Sequence, residues 1–281
     1  MKRTAWLSAV VLSAGLCTGA MAQVTGTVKL EGKAPERKPV AGVGNVKECA
    51  AQHKEPLLDE TVVADDDGNL ANVVVFLKGD NVKGAAPKEP AKLDQKGCQY
   101  VPHVIDLTVG QPLVATNSDT FLHNVHTLPE DNPPSNNAQP TKDEKGLELK
   151  PVKTPEQFRV KCDVHPWMSA WVVALPHPYH ATTGEDGTYE IKTAGLPDGE
   201  YTIVAWQEKF KESAPQKVTI KGGKADKPVN FTFKQKAAAA DPAGTKARAA
   251  AAEVKLTTLT GGEACCEECD KAAKKGEVAA K

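Results

Sequence analysis

The sequence predicts an all-β protein, and three observations carry that prediction. Short runs with an apolar side chain at every second position recur along the chain. Clusters of Gly, Pro, Asn and Asp separate them. No long helical period precedes residue 235.

The first element is not part of the fold. Lys2 and Arg3 lead into an apolar stretch from Ala5 to Leu16, and the small-residue pattern Ala20, Met21, Ala22 comes just before Gln23. An apolar run this short does not span a bilayer, so residues 1–22 read as a secretory signal peptide. Export follows, to the periplasm or outside the cell. No later stretch approaches the roughly 18 consecutive apolar residues of a membrane span, so no transmembrane anchor is expected.

The strand candidates come next. Ile105, Leu107 and Val109 share one face while Asp106 and Thr108 take the other, before Gly110, Gln111 and Pro112 turn the chain. Tyr189 with Ile191, then Tyr201, Ile203 and Ala205, then Val229, Phe231 and Phe233 repeat the period of two. Asp-Gly pairs at Asp67 and Gly68, Asp186 and Gly187, and Asp198 and Gly199 read as turns. The run DDDGN from Asp65 is also a turn; its glycine comes too early for a calcium loop. From Gln235 the composition shifts to Ala, Lys, Glu and Gly with few large apolar side chains, which predicts a flexible, disordered tail over residues 235–281.

Charge excludes one class of partner. With 35 basic and 36 acidic residues the formal net charge is −1, and no basic field is available for nucleic acid.

The chemistry concentrates in two segments. CDVHPWM places Cys162, His165 and Met168 within seven residues, and NSDTFLHNVH carries His123 and His126. A thiolate, two imidazoles and a thioether form the donor set of a blue copper site, two His and one Cys in a plane with a weak axial Met. Phe158, Val160 and Cys162 share a strand face, so the thiol arrives at a strand end facing the core, and the turn after it can bring His165 and Met168 back to the same point. His123 and His126, three apart on a strand, point to opposite sides. His123 is read as the ligand and His126 as exposed, with a secondary metal contact as the other reading. Against copper stands an inert thiol among satisfied histidines and ordinary core filling. Zinc prefers a closed tetrahedral set and rarely uses a thioether, so copper suits these donors better.

The remaining candidates are weaker. Cys49 and Cys98 form a candidate disulfide in an oxidising compartment, with two buried free thiols as the alternative. Cys265, Cys266 and Cys269 in CCEEC could capture Cu(I), since soft thiolates select it, or form intermolecular disulfides. His103, His177 and His180 lie in Pro-containing, loop-like sequence and are expected at the surface, while His53 carries no signal.

Two resemblances extend this reading. YVPHVIDLTVGQPLVATNSDTFLHNVH and CDVHPWM together resemble the cupredoxins, the plastocyanin and amicyanin group of blue copper proteins. The Cys-x-x-His-x-x-Met loop is most similar to that of amicyanin, which also has an aromatic residue where Trp167 stands. The resemblance implies a Greek-key β-sandwich holding one type 1 copper ion, with His123, Cys162 and His165 as strong ligands and Met168 as the axial one. It also implies that Asn124 ties the His123 strand to the Cys162 loop, and that electrons leave by the His165 edge framed by Pro166 and Trp167. Separately, VTGTVKLEGKAP, NLANVVVFLKG and ATTGEDGTYEIKTAGLPDGEYTIVAWQ resemble parts of a carboxypeptidase regulatory-like domain, a small transthyretin-type β-sandwich. Together they imply a discontinuous arrangement, with residues 23–79 plus 179–234 in the regulatory-like sandwich and residues 80–178 in the copper domain. A tandem order, in which Val73 to Leu77 complete the copper domain, competes with it.

The expected function is that of an exported electron carrier cycling Cu(I) and Cu(II), not an enzyme. No Gly-rich phosphate loop or pair of catalytic carboxylates is evident. Its expected partner is a separate redox protein such as a c-type cytochrome or a dehydrogenase, because the chain has no CxxCH haem attachment of its own. Copper storage, delivery or sensing is the alternative, and a surface or adhesion module with incidental copper is the third reading.

Overall fold

Five consecutive apolar residues, Val73 to Leu77, leave no polar position for solvent. Such a run belongs to a strand covered on both faces. The computed structural model describes residues 23–235 and shows what does the covering. Val73, Val75 and Leu77 enter one apolar core, and Val74 and Phe76 enter another. The proposed signal peptide and the tail from residue 236, with Cys265, Cys266 and Cys269, lie outside the described residues.

The described chain is all-β apart from a 3-10 turn and the four-residue helix α1 (Lys47–Ala50). Its first strands are β1 (Gln23–Glu31), β2 (Val74–Lys78), β3 (Ala91–Gln95), β4 (Tyr100–Val101), β5 (Val104–Thr108) and β6 (Leu113–Asn117). Then come β7 (His123–Leu128), β8 (Asn136–Gln139), β9 (Asp143–Glu148), β10 (Glu156–Lys161), β11 (Ser169–Leu175) and β12 (His180–Thr182). The last are β13 (Thr188–Lys192), β14 (Gly199–Gln207), β15 (Lys211–Glu212), β16 (Gln216–Lys221), β17 (Lys224–Ala225) and β18 (Phe231–Lys234). No described helix is long and apolar enough to cross a membrane.

These strands make four sheets, ordered β13-β1-β18, β12-β2-β14-β16-β17, β5-β11-β10-β7-β8 and β4-β3-β6-β9, with β15 paired to β14. Three cores join them in sequence. Val28, Ile191 and Phe231 of the first sheet meet Leu77, Ile203 and Ile220 of the second. On the second sheet's other face, Phe76, Val204 and Trp206 meet Val104, Val173 and Leu175 of the third. The third sheet then turns Leu107, Val160 and Val172 toward Leu93, Tyr100 and Ala115 of the fourth. The architecture is a stack of four β layers, and its two inner sheets are covered on both faces where β2 and β14 meet β5 and β11.

Local chemistry explains how the chain enters and leaves these strands. Gly68 and Gly187 take left-handed φ values of 77° and 68°, as Asp-Gly turns require. Asp65 closes the first turn through its side chain, which accepts the N–H groups of Asp67 and Asn69. Gly199, by contrast, opens β14, and Asp198 before it accepts the Gly222 N–H. At Gly26 the chain of β1 passes so close to Val229 that a Cβ would sit 1.8 Å from its carbonyl oxygen.

The strand sources of the sheets bear on organisation. β2 pairs with β12 and β14, not with the strands that carry the candidate ligands. The segment between β1 and β2 does not stay with the sandwich its flanking strands join, because Val43 and Cys49 pack into the core between the third and fourth sheets. Cys49, on α1, is bridged there to Cys98, so the alternative of two free thiols is excluded.

The inner contact also corrects the expected exposure of three histidines. His103 and His177 are buried and His180 is half-buried. His103 Nε2 bonds Glu208 at 2.5 Å, and Glu208 also accepts the Trp171 indole N–H at 2.6 Å. His177 Nε2 bonds the Leu77 carbonyl at 2.9 Å. His180 lies between Asp106 and Thr108, whose buried hydroxyl is 3.1 Å from Nε2, so the presumed outer face of β5 is an interior seam. Alternation within a strand cannot reveal that a second sheet docks on its polar face.

Asp106 joins the two sandwiches by accepting from both His180 and Thr182. Burial would raise its carboxyl pKa, but the hydrogen bond and charge of His180 outweigh that and hold it below the ordinary carboxylate value. A depressed folded-state pKa contributes stability above the unfolded value, and that contribution disappears as pH falls through the folded one. Asp106→Ala should therefore cost about 3 kcal/mol at neutral pH, the lower end for breaking a buried pair. Denaturant titration should show the gap to wild type closing as the pH is lowered below about 4.

Candidate metal centre

One antiparallel register brings the predicted donors together. β10 pairs with β7 so that Val160 lies opposite Thr127 and Lys161 opposite His126. Alternation on β10 buries Phe158 and Val160 and exposes Arg159. Cys162, one residue past the strand, continues on the buried side. His123, at the start of β7, faces the same interior.

The ligand loop is closed by its own backbone. Cys162 N–H donates to the Met168 carbonyl at 3.3 Å, and Met168 N–H donates to the His165 carbonyl at 2.9 Å. The His165 N–H points at Cys162 Sγ at 3.3 Å. All four predicted donors are buried: His123 is 0% exposed, Cys162 1%, His165 4% and Met168 1%. His123 Nδ1 lies 2.9 Å from His165 Nδ1, which in turn lies 3.9 Å from Cys162 Sγ. The three ligand atoms fall within 4.8 Å of one another. Cys162 is the free cysteine among the described residues.

Electrostatics favour ligation. Burial, and then the neighbouring His123, hold the His165 pKa below its ordinary value, which keeps this imidazole neutral with a lone pair to share. A buried thiol, two imidazoles and a thioether on one side of a dry core suit a soft or borderline metal.

Neighbouring side chains fix the loop to the sheet. Asp163 N–H donates to Asn124 Oδ1 at 3.1 Å, and Asn124 Nδ2 donates to Asn136 Oδ1 at 2.7 Å. Asn124 thus links the His123 strand to the Cys162 loop. His126 points the other way, is partly exposed, and bonds Asp163 at 2.9 Å, so it does not join the three-donor cluster. Trp167 packs 5.1 Å from His165 between ring centroids and donates its indole N–H to the Cys98 carbonyl at 3.1 Å. Phe121 stands edge-on to His165 at 6.4 Å.

Two features of the site escaped sequence reasoning. Asp119 Oδ2 lies 2.8 Å from His123 Nε2, the ring nitrogen turned away from the other donors. Asp119 sits in a turn, where strand alternation says nothing about direction; the nearest sequence signal is the NSD run, in which Asn117 Oδ1 accepts the Asp119 N–H at 3.0 Å. The second is the Cys49–Cys98 bridge, whose sulfurs lie within 4.8 Å of a His165 ring nitrogen. Pairing was predictable, but its place beside the donors was not.

No family model matches the chain, and no curated protein does. Among solved structures, it is similar to a novel purple cupredoxin from Nitrosopumilus maritimus, at 20% identity over 30% of this chain and 99% of that one, with a TM-score of 0.26. Amicyanin from Paracoccus versutus aligns at 12% identity over 36% of this chain and 97% of that one, with a TM-score of 0.27. The Cu-containing nitrite reductase from Thermus scotoductus SA-01 aligns at 18% identity over 35% of this chain, with a TM-score of 0.26, and the aligned part spans 25% of that protein's length.

Replacing Asn124 by Ala strips the Asp163 N–H of its acceptor and leaves Asn136 Oδ1 without its donor. Asp163 and Asn136 are exposed, so water can replace the lost partner, and the loss should be about 0.5–1.5 kcal/mol, the net worth of a hydrogen bond, read as a lower urea midpoint. An unchanged midpoint would show that Asn124 does not anchor the loop.

Proposed function

We propose that His123, Cys162 and His165 hold one copper ion, with Met168 as a weak axial donor, and that the protein is an exported electron carrier. The observation that carries this reading is the convergence of a ring nitrogen from each of His123 and His165 with Cys162 Sγ, all within 4.8 Å, in a buried core. Copper held there supplies one-electron exchange between Cu(I) and Cu(II).

The chain's own residues define what such a site does. The closed loop from Cys162 to Met168 and the Asn124 link hold the donors in one arrangement, so little need move when the charge at the centre changes. Burial keeps water and substrates from the donors, which favours electron exchange over hydrolysis. Beside the ligands in sequence, Leu122 and Val164 are 40% and 44% exposed, and Pro166 is exposed too. They form an apolar rim against which a redox partner, a c-type cytochrome or a dehydrogenase, would seat. The Cys49–Cys98 bridge supports export, since disulfides persist in oxidising compartments.

Adding Cu(II) to purified protein should produce an intense blue charge-transfer colour that Cys162→Ser abolishes. Repeated reduction and reoxidation should retain the metal; release of the metal to a chelator on reduction would favour storage or delivery instead. Colourless protein with Cu(II) present would refute the site. Leu122→Asp with Val164→Asp should slow electron self-exchange between copies by at least about tenfold, because like charges then face one another, while leaving the colour intact. Unchanged self-exchange, followed by NMR line broadening, would refute the rim.

A further inference from the structure

Asp119 offers no ligand to the cluster of His123, Cys162 and His165, yet it is buried directly behind it. Its carboxylate meets three partners. Gly97 N–H reaches Oδ1 at 2.9 Å, Cys98 N–H reaches Oδ2 at 2.9 Å, and His123 Nε2 reaches Oδ2 at 2.8 Å. Backbone amides only donate, and a carboxylate receiving two of them is stabilised in its ionised form. An ionised carboxylate has no proton to give, so His123 must donate as well. A neutral His123 therefore carries its one proton on Nε2, which leaves the lone pair on Nδ1, the nitrogen that faces His165.

The loop behind Asp119 is held as firmly as the loop in front. Gly97 and Cys98 take left-handed φ values of 63° and 55°, uncommon for a cysteine, and turn successive N–H groups toward one carboxylate. The bridge to Cys49 anchors Cys98, and His53 Nε2 bonds the Gly97 carbonyl at 2.7 Å. A Cβ on Gly97 would lie 3.1 Å from the His53 ring.

We propose that Asp119 is a positioning residue, which fixes His123 as an Nδ1 donor and, through its buried negative charge, favours the cupric over the cuprous state. This inference rests on the copper reading given above. A carboxylate behind an imidazole makes that imidazole a stronger donor, and the more highly charged ion gains more from it.

Asp119→Asn keeps the shape, removes the charge and sets an amide against two backbone donors. Cu(II) affinity should fall about 10–100-fold, in the range for losing such a partner. Cu(I) affinity should fall less, so that the affinity ratio drops by about tenfold, equivalent to a midpoint potential about 59 mV higher for a one-electron couple. Glu200→Gln is the control, because that carboxylate meets Lys217 on the exposed surface of a different sheet. Its ratio should stay within about twofold of wild type, since solvent screens an exposed charge. In metal-free wild type, long-range proton–nitrogen NMR should find the His123 proton on Nε2. A proton on Nδ1, or an unchanged ratio in Asp119→Asn, would overturn the proposal. The tautomer measurement needs neither metal nor variant. It therefore decides the positioning role even if Asp119→Asn fails to fold, and a wild type that takes up no copper would count against the copper reading alone.

Discussion

The candidate centre depends on one strand register, Val160 of β10 against Thr127 of β7. Side chains alternate with a period of two, so a slip of one residue would send His123 to the opposite face of its sheet while Cys162 stayed in the core. Nothing within CDVHPWM could repair that loss, because the loop supplies only three of the four donors. The register is reinforced on both sides. β11 pairs with β10 along its whole length, and Asn124 catches the Asp163 N–H just where the paired strands end.

The four-layer stack gives that register its rigidity. β11 sits inside the stack, with Ala170, Val172 and Ala174 in the core beside the candidate ligands and Val173 and Leu175 in the core between sandwiches. Apolar contact alone has no direction. The polar groups at the seam do, as Asp106 bonds His180 and Thr182 while Glu208 bonds His103 and Trp171. Each bonded pair fixes one relative placement of the two sandwiches. β11, the strand that pairs with β10 ahead of Cys162, is thereby backed by a second folded body rather than by water.

Much of this was legible in the sequence for a plain physical reason. Residues whose direction follows from strand alternation, such as Phe158, Val160 and Cys162, or His123 against His126, are read correctly from the period of two. Residues whose surroundings are set by docking are not. Thr108 reads as an outer position and is interior, because a second sheet covers a face that its own strand pattern marks as polar, and His103 and His177, which read as surface loop residues, are buried as well. Asp119 was invisible for a third reason, since a turn residue has no periodicity and its partners, Gly97 and Cys98, are brought to it by a loop from elsewhere in the chain.

The same logic joins structure to proposed function. A loop closed by three backbone contacts in front, and a bridged loop behind His123, would hold two imidazoles and a thiol in place whatever charge they share. The most direct test is X-ray absorption at the copper edge on metal-loaded protein. The account predicts a single short copper–sulfur contact and two nitrogen contacts. A shell of nitrogen and oxygen alone, or one dominated by several sulfurs, would contradict it.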